Sequence, residues 1–314
     1  MILHLFLQKM VSALLGIFLS SLAVFVIIHC VPGDIVGQML GQTSDPVATQ
    51  ALRAFFGLDR PVYEQFFDWL AQVAQGNLGV SWYQGRSVVS LIVDAFSVTA
   101  ELALLTLLIA TLVGVPLGIL AGICEGSRVD AVIQGFNLIG LSAPVFWVGL
   151  MLLVGVSATL GWSPPFAYAS MTENLKDNLE IVLLPVLSLS LLQAAAYSHF
   201  VRECMVDQLR RDYVRALTAK GLSPTLIYFK HVLRNVLIPV VTFMGLILIQ
   251  ILGGTVIIES LFSLPGLGRL ILSAIQGRDY PVVQGALLFV ACIAISINLL
   301  IDLLYGLIDP RLRK

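Results

Sequence analysis

Six strongly apolar stretches of 21 to 27 residues follow one another along the 314-residue chain, at about 10–30, 98–122, 132–156, 179–200, 236–258 and 282–308. At a rise of about 1.5 Å per residue, some twenty residues of helix match the ~30 Å hydrocarbon core of a bilayer. Hydrophobic residues make up 58% of the chain and charged ones only 12%, against about 25% charged in a soluble domain. That leaves too little polar surface to clothe a water-soluble body of this length. The sequence predicts an all-α integral membrane protein with six transmembrane helices, organised as a single transmembrane domain over residues 1–314.

The first stretch follows Lys9 and resembles a secretory signal in sign and hydrophobicity. It is longer than a signal h-region, and it ends in His29-Cys30-Val31-Pro32-Gly33-Asp34 rather than in a small-residue cleavage site. It is read as an uncleaved first span. Pro116, Pro144, Pro185 and Pro239 fall in or near four other stretches, where membrane helices tolerate proline if neighbours satisfy the freed carbonyls. Gly114, Gly118 and Gly122 recur at helical spacing, a pattern that lets two helices approach closely.

Basic residues set the orientation. Between the fourth and fifth stretches stand Arg202, Arg210, Arg211, Arg215, Lys220, Lys230 and Arg234, and the tail adds Arg311, Arg313 and Lys314. The segment at about 31–96 carries Arg53, Arg60 and Arg86 against Asp34, Asp45, Asp59, Glu64, Asp68 and Asp94. Basic loops stay in the cytoplasm. Both termini are therefore expected inside and the 31–96 segment outside. Asp45-Pro46 and Asp59 near Pro61 read as helix starts, and Val62, Phe66, Trp69, Leu70 and Val73 form an apolar stripe ending at Gly76. A small helical extracytoplasmic cap is expected, either packing over helix ends or docking another protein.

Several functions are excluded by what is missing. A net charge of −1 gives no case for a nucleic-acid partner. The four cysteines and four histidines are scattered, without a metal-ligand spacing or a disulfide framework. No P-loop, HExxH or GxSxG occurs. No catalytic, cofactor-binding or metal residue is assigned, and any ATP hydrolysis falls to another polypeptide.

The most informative segment is the basic one at about 201–235. Gly221 stands where a helix must end with a positive φ, Ser223 is placed as an N-cap, and Pro224 takes the first position of the next helix. This is a helix, a sharp turn and a helix, presenting basic and aliphatic side chains. It is too polar to enter the bilayer.

The segment resembles the cytoplasmic coupling loop of ABC importer permeases. That family's pattern is Glu-Ala-Ala, three residues, Gly, nine residues, then Ile-x-Leu-Pro. Here the places hold Arg215-Ala216-Leu217, Gly221 and His231-Val232-Leu233-Arg234, so the opening glutamate and closing proline are absent. The ending through Asn235 is similar to the dipeptide, oligopeptide and nickel branch of the family. So are Ser142-Ala143-Pro144-Val145-Phe146-Trp147, Glu259-Ser260-Leu261-Phe262-Ser263-Leu264-Pro265-Gly266, Arg278-Asp279-Tyr280-Pro281 and the Asp309-Pro310-Arg311 ending.

The resemblance implies a permease of the bacterial inner membrane. It pairs with a second, related permease subunit, two cytoplasmic ATPase subunits that bind the ATP, and an extracytoplasmic solute-binding protein. Short peptides, glutathione, nickel or a metal chelate would be the cargo. It implies that Arg215, Ala216, Lys220, Gly221, His231, Arg234 and Asn235 form the ATPase-coupling surface. On the far side, Glu259, Arg269, Arg278 and Asp279 make a polar cluster, read as an outer gate, a receptor contact or a well-satisfied loop. Glu101 and Asp302 are acids within or beside apolar stretches, where charge is costly and often functional. An ion-gradient-driven transporter or channel without an ATPase is the alternative reading.

Overall fold

The computed structural model describes residues 2–30, 47, 50, 54, 59–165 and 167–308. Among them the chain is helical apart from turns and one isolated bridge between Val80 and Ser87. The helices are α1 (Ile2–Cys30), α2 (Val62–Ala74), α3 (Val88–Ile123), α4 (Arg128–Ser142), α5 (Val145–Leu160), α6 (Leu175–Leu209), α7 (Asp212–Ala219), α8 (Pro224–Leu261), α9 (Leu267–Gln276) and α10 (Tyr280–Ile308). Five of these (α1, α3, α6, α8 and α10) are long and apolar enough to cross a membrane. The starts expected at Asp45-Pro46 and the Asp309-Pro310-Arg311 ending lie outside the described residues.

The third apolar stretch is not one straight helix. It divides into α4 and α5, bent by 101°. Pro144 supplies no N–H and disfavours helical backbone at the residue before it, and Ala143 is extended at φ −79°, ψ 126°. Pro116, Pro185 and Pro239 lie inside α3, α6 and α8 without ending them. The helices also outrun their apolar stretches. α3 begins at Val88, inside the segment expected to be extracytoplasmic loop, and α6 runs on to Leu209. α2 starts at Val62 with Pro61 one place earlier than expected, and no side chain caps it.

Two compact units make up the chain. One contains residues 94–270 with 1–7 and 296–314; the other contains 8–93 and 271–295. In the smaller unit, Phe66 of α2 is buried and meets Phe25 of α1 edge-on at 5.2 Å, with Trp69 5.9 Å from Phe25. Phe66 and Trp69 of the stripe read from the sequence therefore pack against α1, whereas Val62 at its start is exposed.

In the larger unit, α3 and α6 run parallel in backbone contact. A Cβ on Gly114 would lie 2.5 Å from the Ala194 carbonyl oxygen, and one on Gly118 2.6 Å from that of Ser198. One on Gly122 would collide with Met205. Beside that contact, a Cβ on Gly140 of α4 would come within 2.6 Å of Ala195 on α6. Real Cβ atoms do not approach so closely, so the glycines are what allow this spacing. α8 packs antiparallel against α6 and α3, burying Ile247 and Ile251 with Tyr197, Ala103 and Ala110.

Gly118→Ala is expected to lower stability by about 3 kcal/mol through overpacking. Gly135→Ala, where a Cβ meets nothing within 4 Å, should leave it unchanged or raise it by up to about 1 kcal/mol. Thermal melting in detergent compares the two.

Candidate functional site: the interhelical hairpin and the opposite turn

The hairpin between α6 and α8 is built as its turn chemistry demands. α7 ends in two nested bonds, Leu222 N–H to Leu217 O (3.3 Å) and Gly221 N–H to Thr218 O (2.9 Å). Gly221 sits between them at φ +76°. This is a Schellman cap, which needs a left-handed residue at that place. Ser223 occupies the N-cap position with extended backbone and Pro224 follows it, but the Ser223 side chain makes no capping bond; its carbonyl accepts from Ile227 N–H instead. The first turns of α8 then widen into a π turn over Ile227–Val232, with Leu233 N–H reaching Tyr228 O. Nothing in the residue pattern announced that turn. Such insertions re-aim side chains and are common at functional places.

One face of the hairpin is buried and the other is bare. Val214, Ile227 and Val232 are buried with Val201 and Met205 of α6, and Val115, Ile119 and Ile123 of α3 pack against the same cluster. Arg215, Ala216, Lys220, Gly221, Arg234 and Asn235 are exposed, and His231 is half-buried in the π turn. Arg215 is only loosely paired with Asp212 at 3.5 Å. Asn235 donates to the Tyr213 hydroxyl (3.3 Å), which donates to Gln208 (3.1 Å), tying the second arm back to the root of the first. The seven residues selected from the sequence thus share one solvent-facing element on a rigid base.

A nearly buried ion pair anchors that base. Arg202 of α6 grips Asp130 of α4 through two bonds of 2.6 and 2.8 Å, with side-chain exposures of 15% and 7%. Asp130 also accepts from Gly126 N–H at 2.9 Å, and Glu203 takes another Arg202 nitrogen at 2.7 Å. Sequence reading counted Arg202 only as one of the basic residues that set orientation. Its partner lies 72 positions away, with no local pattern to announce it.

At the other end of this unit, the turn after α8 is a second Schellman cap. Leu264 N–H meets Glu259 O at 2.8 Å and Ser263 N–H meets Ser260 O at 3.3 Å. Ser263, not a glycine, holds the left-handed position at φ +57°. Glu259 is fully buried. One carboxylate oxygen accepts from the Thr99 hydroxyl (2.7 Å) and the other from Arg269 N–H (3.0 Å), while the Thr99 oxygen accepts from Leu267 N–H (2.8 Å). A Cβ on Gly266 would collide with the Glu259 carboxylate. The Arg269 guanidinium turns instead to the Ser263 carbonyl.

Asp279, in the smaller unit, has a network of its own. It accepts from the Ser81 hydroxyl and from the N–H groups of Trp82 (3.2 Å) and Tyr83 (3.4 Å). Arg278 is the left-handed residue of a third Schellman cap, closed by Asp279 N–H to Ala274 O at 2.8 Å. The four residues read as one cluster are therefore held by two separate sets of bonds. Glu101 accepts from the Tyr168 hydroxyl at 2.7 Å. Burial, reinforced by the Glu101 carboxylate, pushes Tyr168 well above the usual phenol range, so it remains a donor. Among the described residues no group of three or more His, Cys, Asp or Glu could hold a metal ion.

Comparisons with known proteins agree with this architecture. The family described as "Binding-protein-dependent transport system inner membrane component" matches residues 114–314, and its N-terminal counterpart matches residues 2–103. The di/tripeptide transport system permease protein DppB of Pseudomonas aeruginosa is 37% identical, covering 93% of this chain and 94% of its own. The glutathione transport system permease protein GsiC of Escherichia coli K12 is 35% identical, covering 98% and 99%. Among solved structures, an inward-facing form of the MetNI methionine ABC transporter superimposes with a TM-score of 0.53 at 17% identity. It covers 70% of this chain and 96% of that one.

Gly221→Val is expected to abolish transport while membrane insertion, followed by protease protection, stays normal, because a β-branched residue resists φ +76°. Arg202→Met alone should cost about 3–5 kcal/mol by leaving Asp130 buried and unpaired. Adding Asp130→Leu should recover most of that loss in a detergent melting assay.

Proposed function

The chain belongs to the family of binding-protein-dependent transport system inner membrane components, and from that premise we propose that it is a membrane-spanning subunit of an ATP-driven importer of short peptides or glutathione. The observation that carries the reading is the hairpin, which is fused to α6 and α3 on its buried face and bare on the other. A motor protein can grip such an element and displace it without melting it. Arg215, Ala216, Lys220, Gly221, His231, Arg234 and Asn235 are the surface it grips.

The assembly contains a second, related permease subunit, two ATPase subunits that bind and hydrolyse ATP, and a solute-binding protein on the far side. This chain binds no nucleotide and no cofactor. The hairpin and both termini lie in the cytoplasm of a bacterial cell, and the chain crosses the inner membrane six times. The parallel course of α3 and α6 supports that count, because the chain between them must return across the bilayer, and α4 with α5 makes the return despite its bend. The turn at Glu259–Arg269 serves as an outer gate, and the Arg278–Asp279 end of α9 serves the docked binding protein.

The importer, purified with its partner subunits and reconstituted in proteoliposomes, should accumulate radiolabelled dialanine or glutathione only when ATP is supplied on the hairpin side. Uptake driven by a proton or sodium gradient with no ATP present would favour the ion-coupled alternative and refute this reading.

A further inference from the structure

We propose that the turn from Glu259 to Arg269 is a releasable latch, with Thr99 and Glu259 as its positioning residues and Gly253-Gly254 as the hinge on which the end of α8 swings; the inference rests on the importer reading above.

Three independent features meet here. The first is unequal stiffness. At Gly114 and Gly118 the α3 backbone lies against the α6 carbonyls of Ala194 and Ser198, and at Gly122 against Met205, an approach that leaves little slack. α8 is the opposite. Gly253 and Gly254 are exposed, and a Cβ on either would meet nothing within 4 Å. Neither glycine is required by close packing within this chain, and each costs helix stability relative to alanine. Tandem glycines in open space are where a helix bends most easily.

The second feature is the set of bonds between the stiff pair and the tip of the compliant helix. Thr99 stands on α3 and Glu259 lies beyond the glycines on α8. A single hydroxyl both donates to the carboxylate and accepts from Leu267 N–H. Glu259 contributes its carbonyl to Leu264 N–H and its other carboxylate oxygen to Arg269 N–H. Apart from the cap's own Ser263 N–H to Ser260 O bond, the bonds across the turn run through these two residues or through the Arg269 guanidinium on Ser263 O. The carboxylate also sits against the first N–H groups of α9, where negative charge is favoured.

The third is strain. A serine at φ +57° costs about 1–2 kcal/mol relative to a right-handed conformation, and the surrounding bonds sustain it. Glycine is the usual residue at that place. Strain held in place by a few hydrogen bonds is a state that can be released. The turn borders a cleft of about 450 Å³ between the end of α5 and Leu261–Ser263, lined in part by Ser157, Ser163 and Pro164. Lifting the turn would enlarge that space.

The hairpin sits at the far end of both arms. It roots in α6 through Val201 and Met205 and continues directly into α8. A displacement there loads α8 against the rigid pair, and the Thr99–Glu259 bond is where the difference appears.

The test uses the complete importer in nanodiscs, with the four native cysteines replaced and Leu264→Cys as reporter. Leu264 is 1% exposed among Val98, Ile181 and Val182, so a charged maleimide reaches position 264 only when the turn lifts. Trapping with ATP and vanadate should raise labelling at least tenfold. Thr99→Val should raise it by a similar factor without nucleotide. Gly253→Ala with Gly254→Ala should suppress the ATP-driven rise while leaving the melting temperature equal or higher, which a purely structural role for the glycines would not produce. Labelling that ignores nucleotide in an importer that hydrolyses ATP would overturn the latch and spare the importer. Absence of ATP hydrolysis with all subunits present would overturn the importer reading itself.

Discussion

The contact between α3 and α6 is the constraint on which the larger unit depends. In lipid no hydrophobic force drives one apolar helix against another, so association relies on close van der Waals approach and interhelical hydrogen bonds. Gly114, Gly118 and Gly122 bring the α3 backbone against the carbonyls of Ala194 and Ser198 and the side chain of Met205. On the same helix, Gly140 of α4 meets Ala195, and Arg202 holds Asp130. α6 thus becomes a central rod, with α3, α4 and α8 arranged around it. Because α3 and α6 run the same way, whatever is built on their two ends is held at a fixed separation.

Charged side chains in this unit gather at those ends, for a reason of solvation. A charged or unpaired polar group within the bilayer is expensive, whereas near the interface it finds backbone termini and water. The hairpin places its cations in solvent and its valines on the rod. The opposite turn instead buries a carboxylate completely, and the Thr99 hydroxyl and the Arg269 N–H make that tolerable. The first arrangement leaves its charged side chains exposed. The second is closed on itself and leaves no carboxylate oxygen of Glu259 for a partner outside. Glu259, Arg269, Arg278 and Asp279, read from the sequence as one polar cluster, are thus held by two sets of bonds.

The hairpin was legible because its geometry is local. A left-handed glycine, an N-cap position and a proline at the start of a helix are decided by neighbours within four residues. Ser263 and Arg278 hold the same left-handed place in two other caps, and neither residue type signals it. The surrounding bonds impose that conformation on them. The bend at Ala143-Pro144 lies between these cases. Pro144 was visible, but Pro116, Pro185 and Pro239 look alike in sequence and sit inside continuous helices. Whether a proline breaks a helix depends on what satisfies the freed carbonyls.

By itself the sequence determined that the chain is all-helical and membrane-embedded, how its long apolar stretches are distributed, and where the one sharp polar hairpin lies. Each of these follows from periodicity, length and turn chemistry, which act over a few residues. Only the tertiary structure decided that Arg202 finds Asp130, that Thr99 finds Glu259 across 160 positions, and that Asp279 closes a loop begun at Ser81. A buried polar group takes whichever partner the packing brings within 3 Å, and sequence distance carries no information about that.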